Sequence, residues 1–556
     1  MVASILLFAP TATAVPTMIQ QEPADLVVTN GKVITVDEPL AEAQAVAVRG
    51  DRIVALGSAA DVRRYVGPGT QVIDVQGQLV IPGFIEGHGH FTGVGDAQLN
   101  LKLMPTTSWD QIVAMVADAA KAAKPGEWII GRGWHQEKWT SRPNPNVEGF
   151  PTHASLDAVS PNNPVLLTHA SGHASFVNAK AMEVSDINRS TSNPPGGEIL
   201  KDAAGNPTGL LRETASGLVH SGRGDPGRAR KALQLASEEA LSKGVTSFQD
   251  AGSSFATIDL MKQMIDQGQI GVRLWVMVRE GNEREAPLLA KYRTIDYGKG
   301  HLTVRAIKRQ IDGALGSRGA WLLEPYSDKP DSTGLNTASI ADITETARLA
   351  MANDYQLCVH AIGDRANRET LNIFEEAFKA NPAKRDLRWR IEHAQHLSAQ
   401  DIPRFGQLGV IASMQGIHCT SDAPYVIERL GAKRAEEGAY VWQKLMKSGA
   451  VVSNGTDAPV EDVDPIANYY ATVSRKTKAG KVFYPDQRMS RMEALTSYTY
   501  NAAYAAFEET SRGSLKVGKL ADMTVLSKDI TTIPEDEIPS AHVSYTIVGG
   551  KVVYKK

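Results

Sequence analysis

The sequence predicts an α/β protein whose main domain is an eight-stranded barrel of alternating strands and helices. Eight apolar segments of strand length alternate with amphipathic segments between residues 79 and 459. Several of these strands are apolar in unbroken runs, which is typical of parallel strands covered on both faces. Short β-branched segments separated by turn residues lie at both ends of the chain, and they predict a second, smaller sheet structure.

The eight segments predicted as barrel strands share a high content of β-branched and other apolar residues. They are residues 79–91, 244–252, 271–278, 302–313, 356–364, 388–396, 409–418 and 450–459. Amphipathic sequences such as ARKALQLASEEALSKG and ANRETLNIFEEAFKAN lie between them. Eight strands alternating with helices are the elements of a (β/α)8 barrel of the TIM type.

The barrel is predicted to span residues 83–510 and to contain an insert at about 95–230. This insert is too long for one crossover, and its segments WIIGRGW and NPVLLTHASGH predict a cap subdomain over the barrel mouth. Residues 25–82 and 511–556 are predicted to form one small β-sandwich, because both contain short strands with tight turns and chain ends often lie close in space.

The composition excludes several classes of function. The 556 residues include 59 Lys and Arg and 62 Asp and Glu, a net charge of −3, so we expect no nucleic-acid partner. Two cysteines exclude a disulfide scaffold and a zinc site of four cysteines. No run reaches the roughly 18 to 20 apolar residues of a membrane span. The expected partner is a small-molecule substrate, and a homodimer is left open.

Residues 1–24 are set apart as a signal or leader segment. Their first part, MVASILLFAPTATA, combines an apolar run with small residues that fit a cleavage site. It lacks the positive charge with which a signal peptide begins. An exported protein with a truncated signal and a protein with an uncleaved apolar leader are therefore both open, and a periplasmic or secreted location is favoured over the cytoplasm.

Titratable side chains fall near the ends of most predicted strands. The carboxyl ends of barrel strands form one mouth, where active sites lie. Histidine and carboxylate at such a mouth are ligands for zinc and similar divalent ions. The candidate residues are His88, His90, Lys308, His360, His393 and Asp457.

Each of these residues also has a structural explanation when it is taken singly. His360 fits a hydrogen-bonded core residue, Asp457 fits a helix cap, and Lys308 fits a partner of Asp312. His88 and His90 taken alone are a weak signal of metal binding, although side chains two apart on a strand point to the same face. The convergence of the whole set favours a metal site.

The motifs around these residues resemble those of the metal-dependent amidohydrolase superfamily. PGF at 82–84 followed by EGHGH at 86–90 is similar to its opening motif, and GKLADMTVL at 518–526 resembles its closing β-sandwich segment. IDGALGSRGAW, HAIGDRAN, RIEHAQH and NGTDAPVE are similar to the branch, amidohydrolase family 3, that holds YtcJ-like proteins and N-substituted formamide deformylase. Glu86 and Gly89 stand where Asp and Thr are common, and neither position is a ligand.

The resemblance implies a site for one or two divalent metal ions, with zinc as the expected metal. His88 and His90 would bind the more buried ion, and His360 and His393 would bind the second.

Two further roles are implied by the resemblance. Asp457 would bind metal and act as the general base toward the attacking water. Lys308 lies where many members of the superfamily have a carboxylated lysine that bridges two ions. Whether Lys308 is carboxylated is left open by the sequence.

Substrate contacts are sought in the predicted cap and in the loops after the strands. The alternative is ordinary packing for the cap residues and a structural salt bridge for Arg318. The candidates are Trp134, His135 and His173 in the cap, Asp312 and Arg318 after the fourth strand, and Gln415, with Met414 and His418, on the seventh. Cap histidines placed over the mouth could stabilise a developing oxyanion.

The function implied by the resemblance is hydrolysis, by metal-activated water, of a non-peptide carbon–nitrogen bond in a small molecule of the amide, N-formyl or N-acyl type. Hydrolysis of an ester, lactone or cyclic amide, or an isomerisation, is the alternative on the same barrel, because fold does not fix function. A non-catalytic metal-binding protein is less favoured, because it would be expected to lose part of the ligand set.

Overall fold

A computed structural model describes residues 22–37, 41–220 and 226–556. The predicted signal or leader, residues 1–24, lies almost entirely outside the described residues. Within the described residues, every helix is too short or too polar to cross a membrane.

The largest sheet is a nearly closed parallel barrel, which confirms the predicted fold class. Its strands follow each other in space in chain order: Phe84–Gly89, Val245–Ser253, Arg273–Val278, Leu302–Gln310, Gln356–Ala361, Arg390–His393, Ile411–Met414 and Val452–Asn454. A short strand, Thr294–Asp296, pairs antiparallel with the fourth. Most of the observed strands are shorter than predicted, because the polar residues of the motifs lie in the loops that follow them.

The first predicted strand is divided at Gly83. Leu79–Pro82 belongs to an outer sheet, and Phe84–Gly89 begins the barrel. A Cβ atom at Gly83 would lie 2.1 Å from Oγ1 of Thr246, so only glycine fits where the chain passes from one sheet to the other.

The first and eighth barrel strands meet at a second glycine. A Cβ atom at Gly87 would lie 2.4 Å from the carbonyl oxygen of Asn454. This close approach lets the backbone N–H of Asp457 donate to the carbonyl of His88 at 2.8 Å. The closure of the barrel therefore brings the two ends of the motif set together.

Helices surround the barrel and bury their apolar sides against it, as Leu371 and Phe374 do in Asp364–Ala380. These helices are Phe91–Leu99, Pro226–Ser242, Phe255–Asp266, Asn282–Glu285, Leu289–Tyr292, Ile340–Ala352, Asp364–Ala380, Ile402–Leu408, Gly416–Leu430, Ala432–Gly438, Trp442–Lys447, Pro465–Ser474, Arg491–Ser497 and Tyr500–Ala505.

The insert forms a cap built on a mixed six-stranded sheet. In spatial order its strands are Gly197–Lys201, Pro207–Glu213, Ala174–Val177, Val165–His169, Ile129–Trp134 and Leu101–Lys102. Its helices are Trp109–Ala122, Ala154–Val159 and Ala179–Val184, and Asn146–Val147 pairs with Phe150–Pro151. Trp109, Trp134 and Phe176 lie in its apolar core.

Strands from both chain ends form the predicted outer sandwich, which is confirmed. One sheet has the order Lys551–Lys555, Val543–Val548, Met523–Leu526, Leu79–Pro82, Lys32–Ile34 and Glu42–Ala43. The other has the order Arg52–Gly57, Ala45–Arg49, Leu26–Thr29 and Gln71–Asp74, and helix Ala59–Arg63 packs beside it. The exact domain boundaries stay a prediction.

A buried ion pair joins the barrel to this sandwich. Arg273, which begins the third barrel strand, donates to both carboxylate oxygens of Asp522 at 2.8 and 3.1 Å. The backbone N–H of Gly549 donates to the same carboxylate at 2.8 Å. Burial alone would raise the pKa of Asp522, but Arg273 holds it below its ordinary value.

We expect Asp522→Asn to lower the free energy of unfolding by about 3 to 5 kcal/mol, because it leaves the buried guanidinium of Arg273 without its countercharge. Urea denaturation followed by circular dichroism measures this loss. Asp118→Asn is the matched control, since Asp118 and Lys121 form an exposed pair within one helix and such a pair contributes less than about 1 kcal/mol. Equal stability of the two variants would contradict the structural role of Asp522.

Candidate active site

The predicted ligand residues meet at the carboxyl ends of the barrel strands, with Asp457 at the centre. In the part of the chain that the structure describes, two groups of three could hold a metal ion: His88, His90 and Asp457, and His393, His418 and Asp457. Within each group the candidate ligand atoms all lie within 4.8 Å of one another. Asp457 belongs to both groups, so its carboxylate connects them.

The contacts of Asp457 are short and buried. Its Oδ1 lies 3.2 Å from Nε2 of His90 and 3.5 Å from Nε2 of His88. Its Oδ2 lies 4.0 Å from Nε2 of His418. Burial alone would raise the pKa of Asp457, but His90, His88 and His393 hold it well below its usual range. The group is therefore an ionised carboxylate at neutral pH.

Backbone strain is present at two of these positions. His393 and Asp457 have φ angles of 77° and 58°, which lie in the region that favours glycine. Such a conformation costs on the order of 1 to 3 kcal/mol in a non-glycine residue and is concentrated at functional sites. The strain aims both side chains into the barrel mouth instead of along the sheet.

Glu392 fixes the ring of His88. Nδ1–H of His88 donates to Glu392, which leaves Nε2 directed toward Asp457. Nε of Arg390 lies 2.8 Å from Glu392, and the side chains of this ion pair are fully buried. A carboxylate that orients a histidine in this way also makes its other nitrogen a better metal ligand.

The residues fit a divalent metal ion by their free donor atoms. Among the described residues, buried Nε2 of His88, His360 and His418 and Oδ1 of Asp457 have no hydrogen-bond partner. A buried polar atom without a partner costs about 1 to 3 kcal/mol. A metal ion would satisfy several of these atoms at once.

The protonation of the histidines agrees with this fit. Burial, with Lys308 nearby, lowers the pKa of His88 to about 4. Burial also holds the pKa of His360 and His393 well below the ordinary value. All three rings are therefore neutral at pH 7, and neutral imidazole is the form that binds metal.

Lys308 and His360 extend the site across the barrel. Lys308 is 2 % exposed, and burial lowers its pKa to about 8. The ring of His360 lies 4.5 Å from that of His393. Both Lys308 and His360 line the same cavity as Asp457. The structure thus brings all six predicted ligand residues to one mouth and adds His418.

A cavity of about 520 Å³ opens at this mouth between barrel and cap. A smaller cavity of about 50 Å³ lies beside it, and Ser171, His173, His393, Asp457 and Val460 line both. The walls of the larger one also include Asp96, Asn100, Arg132, Thr168, Glu213, Arg279, Gln310 and Thr337. The Asp457 carboxylate is therefore part of the wall of both cavities.

His173 is the cap residue nearest to the ligand set. Its Nδ1 lies 2.8 Å from Oε2 of Glu213, and its ring centroid lies 5.0 Å from that of His360. Burial would lower the pKa of His173, but Glu213 raises it above the ordinary value. Glu213 therefore favours the protonated form of this histidine at the barrel mouth.

The other predicted substrate residues lie in different surroundings. His135 lines the smaller cavity. Trp134 is buried in the cap, where Nε1 donates to the carbonyl of Leu167 at 2.8 Å. Arg318 pairs with Asp328 at 2.8 Å and lines a separate surface pocket.

Asp312 and Gln415 support neighbouring groups instead of lining either cavity. Asp312 accepts hydrogen bonds from the backbone N–H groups of Trp321, Ile362 and Gly363. Oε1 of Gln415 lies 2.7 Å from Nδ1 of His393, so Gln415 orients that ring.

A model of the family described as "Amidohydrolase family" matches residues 71–554. This chain belongs to the amidohydrolase family. Family, fold and motifs agree, which confirms the resemblance seen in the sequence. As in the rest of this metal-dependent family, the His and Asp groups of the barrel mouth could bind a metal ion.

Three relatives of this amidohydrolase cover most of its length. Protein LONG AFTER FAR-RED 3 of Arabidopsis thaliana is 34% identical over 96% of this chain and 92% of its own. The amidohydrolase YtcJ of Bacillus subtilis (strain 168) is 30% identical over 89% of this chain and 92% of its own. N-substituted formamide deformylase of Arthrobacter pascens is 28% identical over 96% and 98%.

Solved structures show the same amidohydrolase fold. A metal-dependent hydrolase from Pyrococcus horikoshii OT3 matches with a TM-score of 0.74 at 24% identity, over 92% of this chain and 99% of that one. The atrazine chlorohydrolase TrzN from Arthrobacter aurescens TC1, complexed with zinc, matches with a TM-score of 0.55 at 14% identity, over 95% of both chains.

We expect Glu392→Gln to weaken metal binding by about 10- to 100-fold, the usual effect of removing a carboxylate that orients a histidine ligand. Competition against a chromophoric chelator measures this affinity. Glu345→Gln is the control, because Glu345 pairs with Arg348 on an exposed helix. Unchanged metal affinity in a folded Glu392→Gln variant would contradict the role assigned to Glu392.

Proposed function

We propose that this amidohydrolase uses metal-activated water to hydrolyse a carbon–nitrogen bond of the amide, N-formyl or N-acyl type in a small molecule. The observation that carries the proposal is the convergence of unsatisfied histidine nitrogens on the ionised Asp457 beside a cavity of about 520 Å³. The similarity to N-substituted formamide deformylase over 96% of this chain supports this bond type.

The ligand set that we propose is His88, His90, His360, His393 and Asp457. Nitrogen and oxygen donors of this kind suit zinc, and a site for one or two ions fits their distribution across the mouth. A bound divalent ion lowers the pKa of water from 15.7 to about 7 and polarises a carbonyl group.

Asp457 is the proposed general base. Its pKa lies well below the ordinary range, so the carboxylate is free of a proton before the reaction. Oδ1 is buried and has no hydrogen-bond partner among the described residues. Asp457 accepts a proton from the attacking water and gives it to the leaving nitrogen, an assistance that is typically worth about 100- to 10,000-fold.

His173 stabilises the oxyanion that develops at the carbonyl carbon under attack. Its raised pKa favours the cationic ring, and the side chain lines both cavities beside Asp457. Donors fixed in advance at such a position stabilise the transition state more than the substrate. Nδ1–H of His173 donates a hydrogen bond to Glu213, and this bond keeps the ring in place during the reaction.

Lys308 is the proposed site of carboxylation. A lysine must lose its proton before it attacks carbon dioxide, and burial lowers the pKa of Lys308 to about 8, which favours the neutral amine. The carbamate would replace a buried cation by an anionic oxygen donor at the barrel mouth.

We expect Asp457→Asn to lower kcat by at least about 100-fold on N-formyl or N-acyl amides, because the amide cannot accept the proton. A panel of such compounds, assayed with metal-loaded protein, identifies the substrate first. Asp118→Asn again serves as the exposed control. An active Asp457→Asn variant would overturn the role of the base, and a wild-type protein that binds metal and turns over no compound would favour a non-catalytic protein.

We expect Lys308→Ala to reduce the metal content per chain. We also expect the metal content of this variant to be independent of added bicarbonate. Metal analysis by mass spectrometry, with and without added bicarbonate, measures both effects. One ion per chain, unchanged by the substitution or by bicarbonate, would instead support a mononuclear site with an unmodified Lys308.

A further inference from the structure

Arg279 lines the larger cavity and has no carboxylate partner. It directly follows the third barrel strand, Arg273–Val278, so it stands at the same mouth as the ligand residues. No carboxylate of the described residues lies within ion-pair distance of its guanidinium. The proposed reaction gives Arg279 no part.

The position of Arg279 is fixed by two contacts. A Cβ atom at Gly252 would lie 2.8 Å from Cδ of Arg279, so the glycine makes room for the aliphatic stem. Nη2 donates to Oε1 of Gln310 at 3.0 Å. The guanidinium has five N–H groups, and this one bond leaves the others free to face the cavity.

The carboxylates on the cavity wall are already engaged. Asp96 pairs with Arg228 at 3.2 Å, Glu213 bonds to His173, and Asp457 lies among the histidines. The larger cavity is therefore lined by carboxylates that have other partners and by an arginine that has none.

Asp250, the carboxylate whose charge acts on Arg279, also has other hydrogen-bond partners. Asp250 accepts hydrogen bonds from the backbone N–H of Phe91 and from the hydroxyl of Ser253. The side chain of Arg279 is exposed where it lines the cavity. Partial desolvation and the nearby Arg309 lower its pKa, while the charge of Asp250 raises it. The guanidinium remains charged, because its ordinary pKa is above 12.

We propose that Arg279 binds a carboxylate group of the substrate in the larger cavity. Arginine presents a planar fork that matches a carboxylate with two parallel hydrogen bonds. The substrate class is then a small N-formyl or N-acyl compound that carries a carboxylate on the amine side or the acyl side. The class of substrate rests on the proposed function, because that function supplies the bond that is cleaved. The binding of an anion by Arg279 does not depend on it.

A carbamate on Lys308 is the competing partner for Arg279. Arg279 lowers the pKa of Lys308, so the two side chains lie within electrostatic reach. If Arg279 served the carbamate, its loss would affect the metal and every substrate alike. A substrate carboxylate predicts instead an effect that depends on the charge of the substrate.

The test compares N-formylalanine with N-formylalaninamide, which differ in one negative charge. For Arg279→Met we expect kcat/KM to fall at least about tenfold on the acid and to stay within about twofold on the amide, with metal content unchanged. Arg279→Lys should recover part of the loss. Arg348→Met is the control for net charge, because Arg348 pairs with Glu345 on an exposed helix.

A binding measurement separates this proposal from the proposed function. Isothermal titration of metal-free protein with N-formylalanine should show binding that Arg279→Met weakens at least about tenfold and that N-formylalaninamide lacks. That result without turnover would support the anion site and contradict only the hydrolysis of these compounds. Equal loss on acid and amide, a fall in metal content, or equal binding of both probes would overturn the proposal.

Discussion

The need to keep the Asp457 carboxylate ionised inside the barrel determines how the rest of the site is built. A buried carboxylate without partners would take up a proton. The neighbouring histidines His90, His88 and His393 hold its pKa well below the ordinary range. Burial in turn lowers the pKa of these rings, so one cluster sets the protonation of the proposed base and of the proposed ligands.

Beneath the ligands, a buried polar network holds these rings in place. Glu392 accepts a hydrogen bond from Nδ1–H of His88, and Arg390 neutralises Glu392. Arg390 also donates to the carbonyl of Gly87 at 2.7 Å and to Oγ of Ser413 at 2.8 Å. Because this network ties the sixth strand to the first and seventh, the geometry of the metal ligands and the closure of the barrel depend on the same bonds.

Strand count, the split sandwich and the ligand positions could be predicted from the sequence, because strand periodicity and strand-end polarity are local signals. Glu392 was missed, although a charged pair in the apolar strand RIEH is itself a signal of a buried network. Trp134 and Arg318 follow local patterns that place them near the mouth, yet packing in the cap and the ion pair with Asp328 take them elsewhere. Tertiary contacts, which local sequence patterns do not show, determine where these two side chains lie.

Arg279 shows why overall charge is a poor guide to the substrate. A net charge of −3 over 556 residues gives no sign of an anion site, because it averages over the whole chain. The free charge lies where a glycine, Gly252, admits the arginine stem and the wall carboxylates have other partners. Recognition in this proposal depends on a local imbalance of charge at the cavity wall, where the exposed side chain of Arg279 has no carboxylate of the described residues within ion-pair distance.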